Sequence, residues 1–366
     1  MNTHIHPGLR RGLLAAAIRF VVLAPLYGAC AALASEGAPA AAANATPHVA
    51  LLLPTQSKIF GRHASAVRDG VLAAAKAAGK SALPLREYAL TGEVADALRA
   101  YRAAAAAGAR LVIGPLTRDA VTAIAFGEPV NVPTLALNLP DQTGRSPERF
   151  YMLSLQVETE GRQVAQLAWR ESRRRALVVS NGSALQRRLQ AAFTAEFTRL
   201  GGSVIGETAT PDPQRLRAAL RAEPDMALLA LDFDEARLAR PHLGNLPAYA
   251  GASANDGERS PLAAFDLAGV AFVDMPWLLE PDHPAVMTYP RPATTTPELE
   301  RLYALGIDAW RVAQMLLDAP RELRLDGVSG ELRLTTQGLI ERRLRAARYH
   351  DGRLRLIDIP GDEPLR

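Results

Sequence analysis

Few residues in this chain have the type and spacing that chemistry requires, and each set meets a specific objection. Gly79-Lys80-Ser81 has the ending of a phosphate-binding loop, but the required first glycine is replaced by Ala74. The tripeptide also closes an expected helix, whereas a phosphate loop must open one so that helix N–H groups meet the anion. No Gly-x-Ser-x-Gly elbow occurs, because Ser183 lies in Asn181-Gly182-Ser183-Ala184-Leu185 and Ser253 in Gly251-Ala252-Ser253-Ala254-Asn255. The seven histidines are scattered with no i, i+4 pair, so no metal site is expected. Asp232-Phe233-Asp234-Glu235 has the carboxylates for a cation or for acid–base work. The simpler reading of the same residues is the cap of a following helix, where acids offset the dipole. No cofactor and no catalytic residue set is expected.

What remains is a series of short polar loops. Thr55, Gln56 and Ser57 follow Pro54; Gly114, Leu116 and Thr117 surround Pro115; Asn138, Ser154, Ser183, Asp232 and Ser253 each end an apolar run. Small polar side chains at the carboxyl ends of parallel strands are where α/β folds bind ligands, so these eleven residues are the candidates for a ligand cleft. Gly, Pro, Asn and Ser also dominate ordinary turns, and each residue taken singly fits that description.

The elements that must position these loops alternate regularly. His48–Leu53 is a buried-strand run ended by Pro54, and Val67, Val71, Leu72, Ala75 and Ala78 mark one face of a helix closed by Gly79. Strands are expected at 83–89, 111–113 and 134–137, with helices at 93–107 and near 119–126 between them. The second half repeats the design, with strands at 150–155, 176–180, 203–209, 226–231, 248–252 and 270–273 and helices at 158–172 and 185–200. Strands alternating with helices imply parallel sheets, and two such halves imply two doubly wound α/β lobes facing a cleft. The end differs: a long helix at 297–318 is followed by strand runs at 331–334, 339–349 and 353–359. Asp351-Gly352 between the last two is a hairpin signal.

Composition sets the compartment. The 366 residues are 48% hydrophobic and 22% charged, enough for a sizeable core, and aromatics are only 5%. Arg10 and Arg11 precede an apolar stretch reaching Leu26, and Ala32-Leu33-Ala34 offers a cleavage site, so residues 1–34 read as a signal peptide. The only cysteine, Cys30, lies in Leu26-Tyr27-Gly28-Ala29-Cys30, similar to a lipobox. Cleavage before Ser35 and lipidation of Cys30 are both open, giving a periplasmic protein, anchored to the outer membrane in the second case. Residues 35–47 read as a flexible tether. The formal charge of +4 falls to +1 once Arg10, Arg11 and Arg19 are removed, which argues against nucleic acid and leaves a lipid anchor as the route to a membrane.

Val49-Ala50-Leu51-Leu52-Leu53-Pro54, followed by Ala66-Val67-Arg68-Asp69-Gly70, resembles the start of the type I periplasmic binding protein fold. Three further stretches narrow the likeness: Ile113-Gly114-Pro115-Leu116, Val132-Pro133-Thr134-Leu135-Ala136-Leu137-Asn138 and 301–310 (Arg-Leu-Tyr-Ala-Leu-Gly-Ile-Asp-Ala-Trp). Gly330-Glu331-Leu332-Arg333-Leu334 and Ile340-Glu341-Arg342-Arg343-Leu344 complete it. Together, over roughly 48–354, they resemble the C-terminal domain of the penicillin-binding protein activator lipoproteins. That resemblance implies three crossings between lobes, with lobe one at 48–150 plus 276–325 and lobe two at 151–275 plus 326–359. It implies a non-catalytic envelope regulator whose partner is a peptidoglycan synthase, whose longer relatives carry a helical repeat domain ahead of this one. The alternative is a periplasmic receptor delivering an amino acid or similar small molecule to an ABC importer. For such a receptor the resemblance implies Thr117 and Asn138 facing Asp232 and Ser253, a cage with one charge and no aromatic lid.

Overall fold

The computed structural model describes residues 45–358, except 80–81, 143, 210–211, 258–260, 294 and 319–321. The expected signal peptide, Cys30, most of the tether, and Lys80 and Ser81 lie outside the described residues.

The described residues open with β1 (His48–Leu53), α1 (Gly61–Ala78), β2 (Leu85–Ala89), α2 (Val94–Ala106), β3 (Ala109–Ile113), α3 (Arg118–Gly127), β4 (Thr134–Ala136) and β5 (Phe150–Leu153). It continues with α4 (Val157–Arg170), β6 (Arg175–Ser180), α5 (Ala184–Leu200), β7 (Ser203–Ala209), α6 (Pro213–Leu220) and β8 (Met226–Ala230). Next come α7 (Phe233–Ala239), β9 (Ala248–Ala250), α8 (Pro261–Asp266), β10 (Val270–Asp274), α9 (Pro276–Leu279), α10 (Pro284–Met287) and α11 (Pro297–Leu317). The last elements are β11 (Arg324–Asp326), β12 (Glu331–Leu334), β13 (Leu339–Arg343), β14 (Arg345–His350) and β15 (Arg353–Leu356). They form two sheets, ordered β11-β12-β13-β5-β4-β3-β1-β2 and β15-β14-β10-β9-β8-β6-β7. The sheets are the cores of the two expected α/β lobes.

Each central strand is apolar along its whole length because helices cover both faces. All six residues of β1 are buried, alternating between a layer shared with α1 and α11 and a layer shared with α2 and α3. Buried Ala64, Val67, Gly70, Val71 and Ala74 recur at helical spacing on α1. They meet α11, which starts from a Thr296 cap and a proline at its first turn. Gly70 and Gly306 let the two backbones touch. A Cβ on Gly70 would lie 2.0 Å from the Tyr303 carbonyl oxygen, and one on Gly306 2.0 Å from that of Val67.

The chain crosses between sheets after β5, after β10 and after β13. The third crossing corrects the sequence expectation. The run 339–349 is not one strand but two, cut at Leu344, where the chain leaves the first sheet for the second. β13 pairs in parallel with β5, Leu339 opposite Met152 and Ile340 opposite Leu153, and its hairpin with β12 draws β11 and β12 into the first sheet. The boundary expected at 325/326 therefore lies at Leu344. Gln163 of α4 holds this crossing: its amide donates to the Arg342 carbonyl at 3.1 Å and accepts the Leu344 N–H at 2.8 Å. The final hairpin forms as the Asp-Gly pair requires, with Asp351 at φ 51° and Gly352 at φ 71°.

Candidate functional site

A cleft of about 1210 Å³ opens between the lobes at the strand ends. Five of the expected residues line it: Leu116, Thr117 and Asn138 from the first lobe, Asp232 and Ser253 from the second. Most of their polar atoms are already engaged. The Asn138 side chain donates to the Leu116 carbonyl at 3.0 Å and accepts the Leu139 N–H at 2.9 Å. Asp232 caps α7 in a reciprocal capping box with Glu235, so its carboxylate accepts the Glu235 N–H at 2.9 Å. The Ser253 hydroxyl donates to the Leu231 carbonyl and accepts from the Gln186 amide.

The other candidates lie elsewhere. The Ser57 hydroxyl accepts the N–H groups of Ile59 and Phe60, and the backbones of Thr55 and Gln56 bond to Leu53 and Leu90. Gly114, at φ 107°, packs against the Leu52 carbonyl where a Cβ would come within 2.2 Å. Ser183 caps α5. Ser154 lines a different groove, beside α4.

The cleft contradicts the expected cage of one charge and no aromatic. Phe60 faces it from the first lobe and Phe233 from the second. Its mouth carries an ion pair between Arg118 and Asp141 at 3.1 Å and a contact between His63 Nε2 and Glu298 Oε1 at 3.2 Å. Its floor carries a buried network that the sequence reading missed. Arg301 of α11 binds Asp274 through two hydrogen bonds, Nη2 to Oδ2 at 2.6 Å and Nε to Oδ1 at 3.0 Å. Nη2 also donates to the carbonyls of Ala252 and Asn255 at 2.8 and 3.2 Å. The Asn255 amide donates to Asp274 at 2.9 Å, and the Met275 N–H at 2.8 Å. The pair is thus largely desolvated, bidentate and supported by further hydrogen bonds on both sides, the geometry in which a buried salt bridge is tolerated.

Glu160, in the first turn of α4, accepts the Ala252 N–H at 3.0 Å. Burial pushes its carboxyl up to about 7, against that bond and the nearby Arg342 and Arg301 charges. The cleft thus combines two aromatic side chains, Phe60 and Phe233, with a self-paired polar network, an arrangement that offers a surface for binding. Among the described residues no group of three or more His, Cys, Asp or Glu could hold a metal ion, and no helix is long and apolar enough to cross a membrane.

Comparison with known proteins places this architecture. The family model described as "LppC putative lipoprotein" matches residues 40–240 and 221–352. The penicillin-binding protein activator LpoA of Pantoea ananatis is 28% identical over 302 residues, covering 68% of this chain and 44% of that protein. The protein of the same name from Erwinia tasmaniensis is 26% identical over 308 residues, covering 69% and 45%. The chain thus spans less than half the length of these curated relatives.

Among solved structures, one from Chromobacterium violaceum is described as a "putative branched-chain amino acid ABC transporter". It is 40% identical with a TM-score of 0.71, covering 83% of this chain and 99% of that one. The LpoA C-domain of Haemophilus influenzae, described as a regulator of PBP1A, is 22% identical with a TM-score of 0.70 and supports the type I periplasmic binding protein fold, covering 85% and 100%. With both halves of the body matched by one family model, the chain belongs to the LppC lipoprotein family.

Proposed function

We propose that this protein is a non-catalytic cell-envelope regulator of the LpoA type, acting in the periplasm by binding a peptidoglycan synthase. The names of its relatives support the reading, and one structural observation carries it. The polar groups a solute receptor would turn toward a zwitterion are engaged with the chain itself: Asp232 in its capping box, Ser253 on Leu231, Arg301 on Asp274. A zwitterion held by these three side chains would have to break those bonds, at a cost of several kcal/mol (~2–7 kcal/mol for a buried polar group alone). Export and attachment through Cys30 belong to the same proposal.

The test is direct binding of the purified protein to a bifunctional peptidoglycan synthase by surface immobilisation or crosslinking. A regulatory interface of ~1,200 Å² commonly gives micromolar affinity. Binding with a changed rate of glycan polymerisation is expected; neither effect at tens of micromolar protein overturns the proposal. The Chromobacterium structure and the size of the cleft favour a second reading, a receptor for branched-chain amino acids. A ligand at 100 times its Kd stabilises a protein by ~2.7 kcal/mol, visible as a rise in Tm. Millimolar leucine, isoleucine and valine are expected to give none, and a clear rise would put the receptor in the regulator's place.

A further inference from the structure

A second concavity lies outside the cleft, between α4 and the β11–β13 end of the first sheet, with a volume of about 660 Å³. We propose that it binds an oxyanion ligand bearing at least two phosphate or carboxylate groups. The inference stands apart from the synthase reading.

Six arginines, Arg342 among them, line this groove against two carboxylates. Arg162 and Arg170 lie on one face of α4, eight residues apart, which is ~12 Å along a helix. Arg324, Arg333 and Arg343 come from the sheet, where Arg343 stands opposite Glu331 and Arg333 opposite Glu341. That pairing leaves the groove with an excess of positive charge. Among the described residues Arg162 bonds only to the Thr159 hydroxyl, and neither Arg170 nor Arg333 has a carboxylate at ion-pair distance.

One feature sets the groove apart from a merely solvated charged face. Arg324 stands directly opposite Arg333 in the β11–β12 ladder, and like charges in that position destabilise a sheet. Arg342, between Glu341 and Arg343 in β13, is only 6% exposed and turns to the other face of the strand, where Nη1 donates to the Ser329 carbonyl. Guanidinium forks match phosphate and carboxylate oxygens two at a time, and the separation of the arginines suits more than one such group. The volume is that of a small-molecule site. Its walls come from different lobes, since α4 packs on β9 and β10 while β11–β13 extend the first sheet, so a bound anion would tie the lobes together.

The experiment is calorimetric titration and thermal melting of the full protein with inorganic pyrophosphate and with citrate, against chloride at matched ionic strength. Saturable binding and a raised Tm with at least one of the two are expected. A response to pyrophosphate alone assigns a phosphate ligand, and to citrate alone a carboxylate. Removing one charge-assisted contact, in Arg162→Gln or Arg333→Gln, should weaken binding about tenfold. Arg324→Thr is the discriminating variant: it relieves the like-charge pair, so the free protein melts no lower than the parent, yet its response to the anion shrinks. A Tm response equal to that of chloride, or one unchanged in Arg324→Thr and Arg162→Gln, overturns the proposal.

Discussion

The floor and the mouth of the cleft use the same chemistry, an arginine beside an aspartate, under opposite conditions. Arg301 and Asp274 meet with their side chains 14% and 1% exposed, whereas Arg118 and Asp141 meet with theirs 40% and 47% exposed. Water has been removed from the first pair and replaced by four further hydrogen bonds from the chain. It still solvates the second. A desolvated pair makes each partner indispensable to the other, because either charge alone would be stranded. The solvated pair gains little Coulomb energy and orders two long side chains to obtain it. The floor therefore fixes how the lobes meet, with Arg301 reaching from α11 of one lobe to the end of β10 in the other. The mouth is where a partner can be met without unfolding anything.

Three measurements can break or sharpen this contrast. The largest effect is expected from Arg301→Met, which leaves Asp274 buried without its cation and should cost about 3–5 kcal/mol. Urea denaturation would show it as a lowered midpoint with an unchanged slope, and a loss below about 1 kcal/mol would erase the distinction between floor and mouth.

Glu160 comes next, read through pH. Its folded carboxyl holds a proton up to about 7, against 4.5 for an unperturbed glutamate, so the folded state binds more protons in between. Stability should fall as pH rises from 4.5 to about 7 and then level off, by on the order of 1–3 kcal/mol. Glu160→Gln should flatten that window. Glu196 works in the opposite sense. Its bidentate bond to Arg199 holds its carboxyl down at about 2, so its contribution is lost only as pH falls from 4.5 through 2. The two windows do not overlap. The smallest effect is expected at the mouth, where Arg118→Ala should change stability by less than about 1 kcal/mol, and less again in high salt.

The parts of the fold that sequence could disclose are those governed by local pattern. The apolar run of β1, the helical stripe of α1, the long α11 and the Asp351-Gly352 turn each carry their signal within a few residues. The cut at Leu344 does not, because 339–349 holds no glycine or proline to mark a break and what divides it is Gln163, reaching over from a distant helix. The site divides the same way. Strand-end loops pointed to Leu116, Thr117, Asn138, Asp232 and Ser253, and the capping pattern at Asp232 was readable from its neighbours. Arg301 was not readable: it lies in a helix beside Glu298 and Glu300, where a charge normally faces water, and its partner Asp274 is on another element. Phe60 and Phe233 are single aromatics in loops and helix starts, with no periodicity to mark them.

The contact between Gly70 and Gly306 bears on the order in which the molecule can be made. It joins the first helix of the described residues to one delivered more than two hundred residues later, with most of the second lobe threaded between. Closing so large a loop before any reward is entropically unfavourable, and such long-range contacts slow folding. A chain emerging amino end first presents the glycine flank of α1 bare throughout that interval. The stretch from α4 to β10, contiguous in sequence, can assemble meanwhile around five of its sheet's seven strands, β6 to β10, before the last hairpin arrives. The first lobe must thus wait for α11 and β11–β13, while the second waits only for its last hairpin.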